Sequence, residues 1–295
     1  AQAAAWFAGK LGAGPRTDGW IWLWSAEALP ALDLYIRTHN RAYLDYARAV
    51  VSALETKAVH TPDGAIVPHP PALEVWVDIA YFSAPAMARL GRLVNDAGLV
   101  ERALDQLIVH QHNLQAAASG LFWHVTYVEN QSHSPCLWAR GNSWFSIAAP
   151  EVMEEVSRAG LADRFAGKMT TVAGALERQL RAVVRLQDPS GLWHTVIDRI
   201  DSYLEASASA GFTLGLGRAL ATQLAGLERR PAAYAYERAI AAICAKINEH
   251  GEFTGVSQQT PPGDFAFYNS IEIGTAPFGT GVCMMALAEA LEGAA

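Results

Sequence analysis

A lone aspartate, Asp78, interrupts the apolar run Val75-Trp76-Val77-Asp78-Ile79-Ala80-Tyr81-Phe82. A carboxyl group set among indole and phenol rings is poorly solvated, so its neutral form is favoured and it suits a proton donor near neutral pH. The same position also fits an N-cap Asp accepting from the first free N–H groups of a helix. A second stretch, Trp138-Ala139-Arg140-Gly141-Asn142-Ser143-Trp144, packs a guanidinium, an amide and two indoles into seven residues where an apolar segment begins. Indole faces cover C–H surfaces and offer one N–H, and Arg grips a carboxylate with two parallel hydrogen bonds. That stretch reads as the wall of a sugar site. The plain alternative is two core tryptophans and a surface cation.

Histidines recur in related places. His124 follows Phe122-Trp123 and leads through Tyr127 and His133 to the Trp138–Trp144 stretch, whereas His69 and His194 occupy similar turns and read as structural hydrogen-bonding rings. His124, His133 and Cys136 match no common zinc spacing, so no metal and no cofactor is expected. Gly211 to Gly217 lacks the preceding strand of a dinucleotide fingerprint, and Ser207 and Ser209 lack a neighbouring histidine or nucleophile elbow. Those small residues read instead as sites of close helix approach.

Composition narrows the classes. Of 295 residues, 51% are hydrophobic and 17% charged, with nine Trp, which describes a well-buried globular chain. The formal charge of −7 and a pI near 5.7 oppose a general nucleic-acid binder, which needs a basic surface. No apolar run approaches about 18 residues, so no membrane span is expected. Cys136, Cys244 and Cys283 are odd in number and widely spaced, which indicates buried or free thiols rather than a disulfide framework. The chain starts at Ala1 with no charged-then-apolar leader, as in a cut or processed polypeptide, and both the cytoplasm and a secreted or periplasmic location stay open.

These residues are positioned by a repeat. A Gly-centred turn with an aromatic or apolar strand-like snippet recurs at Asp63-Gly64-Ala65-Ile66-Val67-Pro68-His69, Ser119-Gly120-Leu121-Phe122-Trp123-His124, Ser190-Gly191-Leu192-Trp193-His194 and His250-Gly251-Glu252-Phe253-Thr254. Leu29 to Tyr35, Ile79 to Leu93, Phe145 to Val156, Phe212 to Leu224 and Gly281 to Leu291 are apolar nearly all round, as expected of inner helices packed on every side. Tyr43 to Leu54, Val100 to Leu114, Phe165 to Leu186 and Ala232 to Ile247 each carry one polar stripe, as expected of outer helices. Closing such hairpins into a ring gives an all-α toroid of one domain, residues 1–295, whose first hairpin is reduced to a short piece at Ala3 to Leu11. The turns and inner-helix starts would gather at one mouth.

Four motifs in this order, Val75–Phe82, Gly120–His124, Trp138–Trp144 and Gly279-Thr280-Gly281, resemble the unsaturated rhamnogalacturonyl hydrolases of glycoside hydrolase family 105. The unsaturated glucuronyl hydrolases of family 88 are close relatives. The resemblance runs from about residue 20 to the C-terminus. It implies an (α/α)6 six-hairpin barrel that acts on oligosaccharides left by polysaccharide lyases, hydrating the C4=C5 bond of the nonreducing uronic acid. It implies Asp78 as acid and base, and His124, Arg140 and Trp144 as ligands of the unsaturated ring and its carboxylate; Trp76 and Trp138 are further candidate substrate-binding residues, and Asn142 either orients substrate or caps the helix. The family has a further Asp at an earlier inner-helix start; here Gly19-Trp20-Ile21-Trp22-Leu23-Trp24-Ser25-Ala26-Glu27 offers none in register, and Asp18 or Glu27 is the substitute. The partner is then a small oligosaccharide, with no nucleic acid or membrane, and the oligomeric state is open. Two alternatives stand beside it: a silent carbohydrate-binding barrel, suggested by the missing acid and hairpin, or another barrel glycosidase, which needs two carboxylates about 5 to 9 Å apart.

Overall fold

The computed structural model describes residues 2–222, 224 and 226–293. Gln223, within the expected helix Phe212 to Leu224, and the side chains of Ala3, Trp22 and Leu23 lie outside the described residues. The helices are α1 (Gln2–Leu11), α2 (Ile21–Ser25), α3 (Ala28–Thr38), α4 (Arg41–Thr56), α5 (Asp78–Val94), α6 (Ala97–Leu114), α7 (Ala139–Arg158), α8 (Ala166–Arg185), α9 (Ala206–Ala221), α10 (Arg229–Cys244), α11 (Phe265–Ser270) and α12 (Pro277–Gly293). Every helix expected from the alternating apolar and striped segments is present. Local chemistry sets several ends: Asn40 accepts from Ala42 N–H at 3.0 Å to start α4, and His39 and Asn95 close α3 and α5 in the left-handed region.

The chain divides into two compact units. The first contains Ala1–Asn113, Tyr127–Gln131 and Glu151–Val172. In it α5 is buried along Ile79, Ala80, Ala84, Met87, Ala88 and Leu90, and packs on α3 and α4. Arg89 of α5 reaches Glu151 at 2.6 Å, Glu155 at 2.8 Å and Asp33 at 2.5 Å, so one guanidinium joins three carboxylates. The planar fork of Arg suits such bridging.

The second unit contains Leu114–Thr126, Ser132–Pro150 and Ala173–Ala295. Its centre is α9, buried on all sides from Ala206 to Leu216 and packed on α10 and α12. A Cβ on Gly211 would lie 2.5 Å from Ser143 Oγ, and one on Gly215 would lie 2.7 Å from Ser146 O, so small residues let α9 approach α7 closely. The expected strand-like snippets are two-residue antiparallel pairs, such as Trp193–His194 with Leu204–Glu205 and Val256–Ser257 with Ile273–Gly274.

The turns are braced by one device used twice in this unit. Gln115 Nε2 donates to Gly120 O and Ala175 O, both at 2.8 Å, and Gln187 Nε2 donates to Gly191 O at 2.9 Å and Ala235 O at 2.8 Å. Gly120 and Gly191 have φ of +77° and +91°, and a Cβ on either would lie within 2.7 Å of a neighbouring carbonyl oxygen, so both conformation and space demand glycine.

Two inner helices differ from expectation. In α3 Ala28, Ala31 and Leu32 are buried but Ile36 is exposed, and in α12 Met284 and Leu291 are 66% and 73% exposed. Apolar composition all round does not ensure burial all round: α12 packs mainly on α9, which covers one side of it.

Candidate active site

In the first unit, the strand Glu74–Trp76 delivers Asp78 to the first turn of α5. Val75, Val77 and Ile79 are wholly buried, Asp78 is half-buried, and its Oδ2 is shielded from solvent. Asp78 is not an N-cap: Val77 holds that position, and no side-chain cap bond forms there. Trp76 is 9% exposed and gives its indole N–H to Glu74 at 2.8 Å. His69 stands edge-on to Trp76 and to Trp20, at 4.8 Å from each. Trp76 is thus packed against His69, with its N–H engaged by Glu74.

Both candidate second acids are in ion pairs. Asp18 is exposed and pairs with Arg16 at 3.0 Å, and the hydrogen bond from Arg16 holds its carboxyl below the usual range, so it stays ionised. Glu27 binds both Lys10 and Tyr46 beside a cavity of about 370 Å³, where it ties α1 to α4. Burial and then Glu27 push the Tyr46 phenol up.

In the second unit, His124, Trp138, Arg140 and Tyr268 come together. The His124 ring is buried, lies 4.2 Å from the Trp138 ring, and has Nδ1 2.7 Å from the Tyr268 hydroxyl. Burial, then the nearby Arg140 cation, lowers the His124 pKa to about 3, so the ring is neutral across ordinary pH. Trp144 is 6% exposed.

Arg140 does not present an open fork. It is 4% exposed, and its guanidinium lies 4.7 Å from both the Trp138 and the Phe278 rings. Nη1 donates to Ser257 O at 2.8 Å and Ser257 Oγ at 2.7 Å, and Nη2 donates to Gln258 O at 2.7 Å and Thr260 Oγ1 at 3.0 Å. Glu205, wholly buried, sits 3.6 Å from Nη1. The expected carboxylate-gripping fork is thus filled by the protein, and Arg140 fastens the 257–260 segment to the start of α7. Asn142 is likewise hydrogen-bonded within the protein. Wholly buried, it accepts from Phe122 N–H at 2.8 Å and donates to Phe122 O at 2.8 Å, pinning the Gly120–His124 turn. The amide is thus used from both ends by the backbone.

Two residues of this cluster escape a reading by motif. Glu205 accepts from Ser207 Oγ, Ala208 N–H and Ser257 N–H, and its position just before the apolar α9 was the available signal. Tyr268, in a six-residue helix after a Pro-Pro-Gly-Asp loop, carried none. Among the described residues no group of three or more His, Cys, Asp or Glu could hold a metal ion, and all three cysteines are free.

Residues 24–293 match the model of Glycosyl Hydrolase Family 88. The chain belongs to that family. It is 30% identical over 236 residues to the unsaturated rhamnogalacturonyl hydrolase YesR of Bacillus subtilis, an alignment spanning 78% of this chain and 64% of YesR. This chain therefore spans less than two thirds of that curated relative. Crystal structures of possible GH105 family members from Salmonella enterica and Klebsiella pneumoniae match with TM-scores of 0.89 and 0.90 at 30% and 29% identity. Each covers 99% of this chain, against 77% and 76% of the other. The fold class is all-α, of the six-hairpin (α/α)6 kind.

Proposed function

We propose that this family 88 protein removes a Δ4,5-unsaturated uronic acid from the nonreducing end of oligosaccharides made by polysaccharide lyases. One observation carries the reading: in a chain of this family, Asp78 is a half-buried carboxyl group at a helix start whose neighbours Val75, Val77 and Ile79 are wholly buried. The likeness to YesR, an unsaturated rhamnogalacturonyl hydrolase, supports it. The carboxylic acid of Asp78 gives its proton to C4 of the enol ether, and positive charge develops at C5. The resulting carboxylate takes a proton from the water that adds at C5, which restores the acid. The C5 hemiketal opens, and the hemiacetal left at C1 releases the rest of the sugar as an alcohol. One water is consumed and no glycosidic bond is displaced directly. His124 serves as a neutral hydrogen-bonding ring.

Incubation with lyase-made uronide disaccharides should bleach the ultraviolet band of the conjugated alkene. Asp78→Asn keeps the shape but has no proton to give, and is expected to lower the rate by about 10² or more. Wild-type protein that bleaches no unsaturated uronide would sink the proposal.

A further inference from the structure

His124 and Tyr268 are 144 residues apart in the chain and form a contact that bears on what a neutral imidazole can do. A neutral ring carries one N–H and one lone pair, and the partner of one nitrogen fixes the role of the other. Tyr268 is wholly buried, and its hydroxyl lies 2.7 Å from Nδ1. A phenol is a good donor with a weakly basic oxygen, while an imidazole lone pair is a good acceptor, so the favourable pairing has Tyr268 donating to Nδ1. We propose that Tyr268 is a positioning residue that holds His124 in its Nε2–H tautomer, so that His124 offers a ligand oxygen an N–H rather than a lone pair.

The surroundings keep that choice in place. Trp138 lies against the imidazole at 4.2 Å and limits its rotation, and the Tyr268 ring packs 6.0 Å from it. Tyr268 stands on α11, whose start is fixed by Asp264 Oδ1 accepting from Phe267 N–H at 2.8 Å. The Arg140 guanidinium, 4.7 Å from the Trp138 ring, opposes a positive charge on the imidazole. Arg140 and Tyr268 are thus a cation and a phenol that act on the His124 ring. The use made of the N–H, to donate to an oxygen of the uronyl ring, rests on the function proposed above; the tautomer itself does not.

The test is long-range proton–nitrogen NMR on the full chain labelled with 15N-histidine, with His124→Gln identifying the resonances. The wild-type ring should show protonated Nε2 and bare Nδ1, unchanged between about pH 5 and 8. A ring protonated at Nδ1, or doubly protonated near neutral pH, overturns the proposal. Tyr268→Phe removes the donor and should give a mixed or reversed tautomer in a protein that still melts cooperatively; an unchanged spectrum in that variant also overturns it. On unsaturated uronides the variant should lose about three- to tenfold in kcat, with a smaller change in KM, as for one lost hydrogen bond. If wild-type protein shows the tautomer but turns over no uronide, the functional reading falls and the assignment of Tyr268 stands.

Discussion

Arg140 shows how far a side chain's role depends on what surrounds it. A guanidinium between two tryptophans reads as a carboxylate clamp, yet its donors meet Ser257, Gln258 and Thr260, with Glu205 behind them. The two roles predict different outcomes for Arg140→Met. A clamp would raise KM and leave the fold intact, whereas the observed lock leaves Glu205 buried without its cation and should cost about 3–5 kcal/mol in a urea unfolding midpoint. Asn142→Ala removes the partner of both Phe122 backbone groups and should destabilise by about 1–3 kcal/mol, with uronide KM unchanged once the variant is folded. Asp78 is the contrasting case. It stands one residue inside the N-cap Val77 of α5, and Asp78→Asn should silence turnover of unsaturated uronides, read as loss of alkene bleaching.

At the scale of elements, helix positions follow from pattern and helix separations from glycine. The alternation of wholly apolar and striped segments gives the order of the helices, since a striped helix needs one wet face and an apolar one does not. The distance between α7 and α9 is set by Gly211 and Gly215 against Ser143 and Ser146. Gly211→Leu should cost about 1–3 kcal/mol or more by overpacking and, by displacing the start of α7, should loosen Arg140 from the 257–260 segment. Limited proteolysis of that segment would report the second effect; resistance equal to the wild type would show that α7 absorbs the strain elsewhere.

At the scale of the whole molecule, two buried neutral histidines make the fold acid-sensitive. Burial lowers His110 to about 4 and His124 to about 3, whereas in an unfolded chain each titrates near the ordinary value of about 6.5. Between those values the unfolded chain binds more protons than the folded one, so stability falls as pH drops from about 6.5 towards 4 and is unaffected by these rings above 7. Melting temperatures across that range should decline, and His110→Gln should flatten the slope whatever it does to the absolute value. The sequence by itself determined the helix order, the glycine turns, the family and the placement of Asp78, because periodicity, turn chemistry and a carboxyl group in an apolar run act over a few residues. Only the tertiary structure decided that Arg140 meets Ser257, Gln258 and Thr260, that Asn142 meets Phe122, that Asp18 and Glu27 are held in ion pairs, and that Tyr268 meets His124. Those partners are brought in from up to 144 residues away, and no local pattern encodes which distant carbonyl or hydroxyl will fill a buried donor.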